Sequence, residues 1–275
     1  MNHEIRRRDL VACVRRNASP DALADAAWLI AQGEYPELDI AASAARLTHL
    51  GERVRDRLTD DGGRPWRVLH GVLGQEEDFT GDEVTYGHPD NSYLNRVLER
   101  KRGLPILLSV LWVAVAHAAG IPAAGIGLPG HFIARVGEGN EETFIDPFRR
   151  GLPVSRDEAL RLGAAAAGGA PADPAWLQPQ TAGDVAFRIL TNLSNAYDRS
   201  GDATRLERVL SDQLALQPRE GRLLVRRGDV RATLGDSTGA LLDLNEALIA
   251  LEDGPLFRYA HGLAKRLARS RISKN

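Results

Sequence analysis

Tyr86 to Val136 reads YGHPDNSYLNRVLERKRGLPILLSVLWVAVAHAAGIPAAGIGLPGHFIARV, and Thr143 to Gly151 continues TFIDPFRRG. Asn91-Ser92 is placed to cap a helix whose apolar face is Tyr93, Leu94, Val97 and Leu98. Gly103-Leu104-Pro105 closes that helix and opens another, because proline suits a first helical position, where an amide hydrogen would have no partner. The run from Pro105 to Ala119 is apolar on every side, which predicts a buried helix. Gly120-Ile121-Pro122 turns the chain into a strand at Ala123–Leu128. A tight Pro129-Gly130 turn then sets His131 at the head of a second strand, His131–Val136. Glu138–Glu142 is a polar hairpin loop, and a third strand, Thr143–Ile145, ends on Asp146-Pro147.

Composition limits what surrounds this segment. The chain has 275 residues, 43% hydrophobic and 26% charged, so it can bury one large core or two smaller ones. With 35 Lys plus Arg against 37 Asp plus Glu, the net charge of -2 gives no general case for nucleic-acid or acidic-membrane binding. A single cysteine, Cys13, excludes an internal disulfide, a Cys-rich zinc site and an iron–sulfur site. His70 and His88 have no partners at metal-ligand spacing, so neither a metal nor a cofactor is expected. Gly125 and Gly127 belong to a tight strand, because no dinucleotide-type helix follows them. The N-terminus mixes Glu4, Asp9 and arginines into its apolar stretch and does not read as a secretory signal. The uncharged region Gly103–Gly130 is broken by Pro105, Gly120, Pro122 and Gly125, and its helix is shorter than the ~20 residues of a span. The expectation is a cytoplasmic protein.

Outward from the core segment, residues 1–60 read as helical. Apolar positions recur at Leu23, Ala26, Ala27, Ile30, then Ile40, Leu47, Leu50, Val54 and Leu58. Ser19-Pro20 fits a helix start, and Asp60-Asp61-Gly62-Gly63 fits a stop. Residues 163–180, GAAAAGGAPADPAWLQPQ, read as an interdomain linker. Beyond it the sequence repeats: Gly201-Asp202 and Gly235-Asp236 stand 34 residues apart, the period of a tetratricopeptide helix–turn–helix. Leu190, Leu193, Tyr197, Leu210 and Pro218 fit that pattern in one unit, and Leu224, Gly228, Ala240, Leu244 and Ala247 in the next. Arg231 departs from it by standing at an aromatic position, and Leu206 by standing at an alanine one. A terminal helix, Leu256–Arg271, would cap the stack with Arg258, Lys265, Arg266, Arg269 and Arg271 facing water.

The chemistry-bearing residues lie in the core segment. A buried helix start, His131 at one strand head and Asp146 at the end of its neighbour have the order of a nucleophile–base–orienting-acid site. Antiparallel pairing would make His131 and Asp146 cross-strand neighbours. Each has a structural reading too: His131 as a satisfied core histidine and Asp146 as a turn cap. Asn91, Ser92 and Asn95 either satisfy helix ends and loops or form a pocket wall. Ser109 lies one helical turn after Pro105, where a serine nucleophile could stand. Trp112 and His117 read as core, and Arg96, Arg100, Lys101 and Arg102 as a solvated face or a contact for an acidic partner.

The stretches NSYLNRVLERKRGLPILLS, GIPAAGIGLPGHF and IDPF carry a family resemblance. Over Ala24–Gly151 the chain resembles the second transglutaminase-like core family, the Sir-B type of bacterial proteins, in which the core precedes tetratricopeptide repeats. The resemblance implies a mostly α, α+β fold: residues 1–162 as a transglutaminase-like domain with its papain-like core at 66–153, and residues 181–275 as helical repeats. It also implies a Cys–His–Asp triad, of which His131 and Asp146 match the second and third members. The thiol would stand about fifteen residues before the GIP turn, and there this chain has Pro105. The resulting expectation is a non-catalytic protein that engages a protein or peptide partner through its repeats. The rival is a cysteine-independent hydrolase or peptidase-like enzyme that uses His131 and Asp146 with water or Ser109.

Overall fold

The computed structural model describes residues 3–16, 21–61 and 64–272, in two units, Met1–Ile189 and Leu190–Asn275. The first unit opens with helices α1 (His3–Arg16), α2 (Ala22–Glu34), α3 (Ile40–Asp61) and α4 (Pro65–Leu69), the last running into a π-helical stretch, His70–Glu76. A short parallel pair, β1 (Thr80–Gly81) with β2 (Arg102–Gly103), brackets a 3-10 turn at Pro89–Ser92 and helix α5 (Leu94–Arg100). Next come α6 (Pro105–Ala118), β3 (Ala123–Leu128), β4 (His131–Val136), β5 (Thr143–Asp146), β6 (Leu152–Val154) and α7 (Arg156–Ala166). The four strands form one antiparallel sheet in the order β3-β4-β5-β6.

Helix α6 is the axis of this unit. Every residue from Pro105 to Ala116 is buried, which accounts for the absence of charge in that run. At ~1.5–3 kcal/mol for each large apolar side chain removed from water, this helix contributes strongly to the core. It packs on α2 and α3 on one side and on β3 and β4 on the other. Gly51 of α3 permits a close approach, since a Cβ there would lie 2.4 Å from Ala118 Cβ.

Three local expectations are corrected. The Asn91-Ser92 pair does not cap α5: both lie in the 3-10 turn, and Tyr93 stands at the helix cap without a side-chain bond. Helix α6 ends at Ala118, with Ala119 as its C-cap. Residues 163–180 are not a free linker. Gly163–Ala166 finishes α7, Pro174–Leu177 forms a 3-10 turn with Leu177 buried in the sheet's core, and Pro179 bridges Ile126. The division into 1–162, 163–180 and 181–275 therefore gives way to a boundary after Ile189. The Ser19-Pro20 start and the Gly62-Gly63 stop lie outside the described residues.

Helix α8 (Ala182–Ser200) crosses that boundary. The second unit holds its later half with α9 (Ala203–Leu216), α10 (Gly221–Thr233), α11 (Ser237–Ala250) and α12 (Pro255–Ile272). The repeated Gly-Asp pair has a physical role. Gly201 and Gly235 take left-handed conformations at φ 71° and 83°, which terminate one helix. Asp202 and Asp236 then cap the next by accepting from the Arg205 and Gly239 amides at 3.0 and 2.8 Å. Leu214, Leu224, Val225, Leu244, Ala247, Ala260, Leu263 and Ala264 form this unit's apolar core. Arg258, Lys265, Arg266 and Arg269 are exposed on α12, as their spacing predicts. The fold is mostly helical with one small antiparallel sheet, consistent with an α+β transglutaminase-like core followed by a helical array. Among the described residues no helix is long and apolar enough to cross a membrane.

Candidate functional site

Gly130, at φ 65°, closes the two-residue turn between β3 and β4 and delivers His131 to the first position of β4. Asp146 ends β5. Because Ala134 pairs with Ile145, His131 and Asp146 are diagonal rather than directly opposite, a correction to the simple cross-strand picture. Their side chains nevertheless meet, with His131 Nε2 2.9 Å from Asp146 Oδ2. Asp146 is fully buried, while the His131 side chain keeps 19% of its surface. The carboxylate's other oxygen accepts from the Phe148 amide at 3.0 Å, capping the Pro147–Arg149 turn, and Arg149 Nε approaches to 3.7 Å. A carboxylate so held can only accept, so Nε2 carries the proton. His131 Nδ1 then has a free lone pair and no partner among the described residues. This arrangement orients an imidazole that can accept a hydrogen bond or a proton from a ligand.

Aromatic rings border His131. Phe148 meets it edge-on at 6.2 Å between centroids, and Tyr86 meets Phe148 in the same manner at 6.1 Å. Gly81 leaves the room for Phe148, since a Cβ there would lie 2.3 Å from that ring. Gly151, at φ 74°, similarly accommodates Trp112 of α6.

Asn91 and Arg100 are structural here. The Asn91 amide donates to the Thr85 carbonyl at 2.7 Å and accepts from Arg100 at 2.9 Å, while its backbone carbonyl receives the Leu104 amide just before α6. Arg100 also reaches Asp82 at 3.0 Å. Burial acts against ionised Asp82, but the Thr85 hydroxyl and amide, Asn91 and Arg100 outweigh it and hold the carboxyl down at about 2. Ser92 and Asn95 are buried, and Asn95 Oδ1 has no hydrogen-bond partner among the described residues. The structure shows neither of them beside His131.

The nucleophile candidates fare differently. Pro105 occupies the first turn of α6 and has no nucleophilic atom. Ser109 is fully buried and its hydroxyl donates to the Phe132 carbonyl at 3.3 Å. The Cys13 thiol points to the Ala22 carbonyl at 3.9 Å, in α1. Burial pushes this thiol up, Asp25 adds to the effect, and Arg16 opposes it. A protonated thiol is a poor nucleophile. Among the described residues no group of three or more His, Cys, Asp or Glu is arranged to hold a metal ion.

Arg188, on α8, escaped the sequence reading. It donates through Nη2 to the carbonyls of Leu128 and His131 at 2.9 and 2.7 Å, on either side of the Pro129-Gly130 turn. No local motif marks a residue 57 positions away from its partner.

Residues 41–191 match the model of the transglutaminase-like superfamily. A UPF0162 protein of Xylella fastidiosa is 34% identical over 232 residues, covering 82% of this chain and 83% of that protein. A UPF0162 protein of Pseudomonas aeruginosa is 27% identical over 188 residues, covering 66% and 67%. F-box only protein 21 of Mus musculus is 35% identical over 81 residues, 30% of this chain and 13% of that protein. No solved structure matches the chain. The family match spans more than half of the sequence and its motif residues form the sheet and buried helix just described, so this chain belongs to the transglutaminase-like superfamily and, within it, to the UPF0162 family.

Proposed function

We propose that this protein is a non-catalytic, Sir-B-type member of the superfamily that works in the cytoplasm by binding. Its His131–Asp146 pair receives a ligand group and its tetratricopeptide-like array takes a protein or peptide partner. The observation that carries this reading is Pro105 at the start of α6, where the superfamily's triad needs a thiol. Ser109 does not replace it, because its hydroxyl is sealed in the core and bonded to a carbonyl. The 34-residue recurrence of glycine-terminated and aspartate-capped helices supports the array assignment. An 81-residue match within a far longer mammalian protein is consistent with a core segment that serves as one part of larger proteins.

The test is a panel of amide and ester substrates offered to the purified protein and to its His131→Ala variant. No turnover above background is expected from either. Turnover that disappears in His131→Ala at unchanged melting temperature would overturn the binding-only reading. It would favour the second one, a cysteine-independent hydrolase, for which the oriented and partly open His131 speaks. Ser109→Ala separates the possible nucleophiles within that rival. Loss of a long neutral hydrogen bond costs ~1 kcal/mol or less. If turnover exists, it should survive Ser109→Ala, leaving water as the nucleophile.

A further inference from the structure

Arg188 has an unusual set of partners for a guanidinium. Its Nη2 is bound by two neutral carbonyls, those of Leu128 and His131, and its carbon lies 5.4 Å from the Phe132 ring centroid. Phe132 is itself seated by Gly125, where a Cβ would come within 2.8 Å of the ring. Among the described residues no carboxylate pairs with Arg188, and no acceptor is bonded to its Nε or Nη1. Burial pushes the guanidinium below its usual range, and the Tyr86 phenol is the neighbour that acts in the opposite direction. A half-buried cation stacked on a ring and left without a counter-charge is electrostatically incomplete. The missing charge is one that a ligand can supply through a charge-assisted hydrogen bond.

The rim beside it is apolar. Tyr86 is 47% exposed and Val84, two residues earlier on the same loop, is 95% exposed. Tyr86, Phe148 and His131 stand in an edge-to-face row that leads from the loop to the imidazole. The row offers π-faces to an aromatic or aliphatic body, and His131 Nδ1 offers one acceptor.

We propose that Arg188 is the anion-binding half of the His131 site and that the ligand carries a carboxylate attached to an apolar body. This inference rests on the reading of the site as a binding site and names the chemistry that it recognises. The carboxylate sits on Arg188 Nε and Nη1, and the apolar body lies along Phe148 and Tyr86. A chain terminus and an acidic side chain both present this group.

The experiment compares N-acetylphenylalanine with N-acetylphenylalaninamide, which differ only in the charged group, by NMR titration of the His131 ring and Arg188 Nε–H signals. The acid is expected to bind about tenfold more tightly than the amide. Arg188→Gln should erase that preference, so that acid and amide bind alike. If Arg188→Gln fails to fold, Arg188→Lys carries the test: the charge remains, so the preference persists and shrinks with added salt. N-acetylaspartyl-phenylalaninamide, with its acid on the side chain, shows which source of carboxylate fits, and saturable binding of either acid supports the proposal. Equal binding of acid and amide, or a preference that survives Arg188→Gln, overturns it. Hydrolysis of an amide probe would instead break the binding-only reading of the site and leave the carboxylate preference standing.

Discussion

Asp146 and Asp243 are both buried carboxylates, 0% and 2% exposed, and they serve opposite ends. Asp243, on α11, is gripped by Arg227 at 2.9 and 2.6 Å and by Arg231 at 3.0 Å. Arg231 continues to Glu207 and Arg227 to Ser211, so one network ties α9, α10 and α11 together. Asp146 holds the imidazole of His131, which reaches the surface. The difference separates a lock from an oriented side chain: a carboxylate gripped by two guanidinium groups ties helices together, and one paired with a partly exposed histidine sets the direction of that ring.

The contrast can be broken most forcefully at the lock. Asp243→Ala would leave Arg227 with only the Ser211 hydroxyl and Arg231 with only Glu207 in a largely buried setting, at a cost of ~3–5 kcal/mol. Urea denaturation followed by circular dichroism should show the loss, whereas a change below about 1 kcal/mol would mean that the network is dispensable. At the site, Asp146→Ala removes both the His131 bond and the Phe148 amide cap, and should cost ~2–3 kcal/mol. Asp146→Asn keeps an oxygen to accept from the Phe148 amide and sets an NH2 donor against His131, so it should cost less than alanine in thermal melting. Equal losses in the two variants would show that the charged contact with His131, rather than the Phe148 cap, holds this corner of the sheet.

The smallest effect concerns pH. Asp82 has a folded-state value of about 2 against an ordinary 3.8, so its ionised form stabilises the fold. That stability is fully present above the ordinary value and is lost as pH falls from about 4 through 2, on the order of 1 kcal/mol. An Asp82→Asn variant should be less stable at neutral pH and flatter across that window. A parallel pH profile for the two proteins would contradict the assignment.

Much of the sheet and of α6 was legible because local signals agree there. Pro105 marks a helix start, an uncharged run marks a buried helix, and Pro129-Gly130 fixes a hairpin register. The 3-10 turn at Pro89–Ser92 was misread because Asn91 spends its side chain on Thr85 and Arg100 rather than on a helix end. The alanine- and glycine-rich stretch around 163–180 has the composition of a linker, but Leu177 and Pro179 find the sheet through contacts that no local pattern encodes. Arg231 stands where the expected 34-residue pattern has an aromatic residue, and in the structure it bonds Glu207 and Asp243. Of the candidate site, the His131–Asp146 order was visible in sequence, whereas Arg188 required the fold.

Pro105 has a consequence for what its position can tolerate. The first residue of a helix has no intrahelical acceptor for an amide hydrogen, and a proline brings none. In α6 that position is buried. Replacing Pro105 with cysteine would introduce an amide donor into that buried position, at a cost of about 1–3 kcal/mol if it finds no acceptor. The fold at this position therefore favours proline over a thiol-bearing residue.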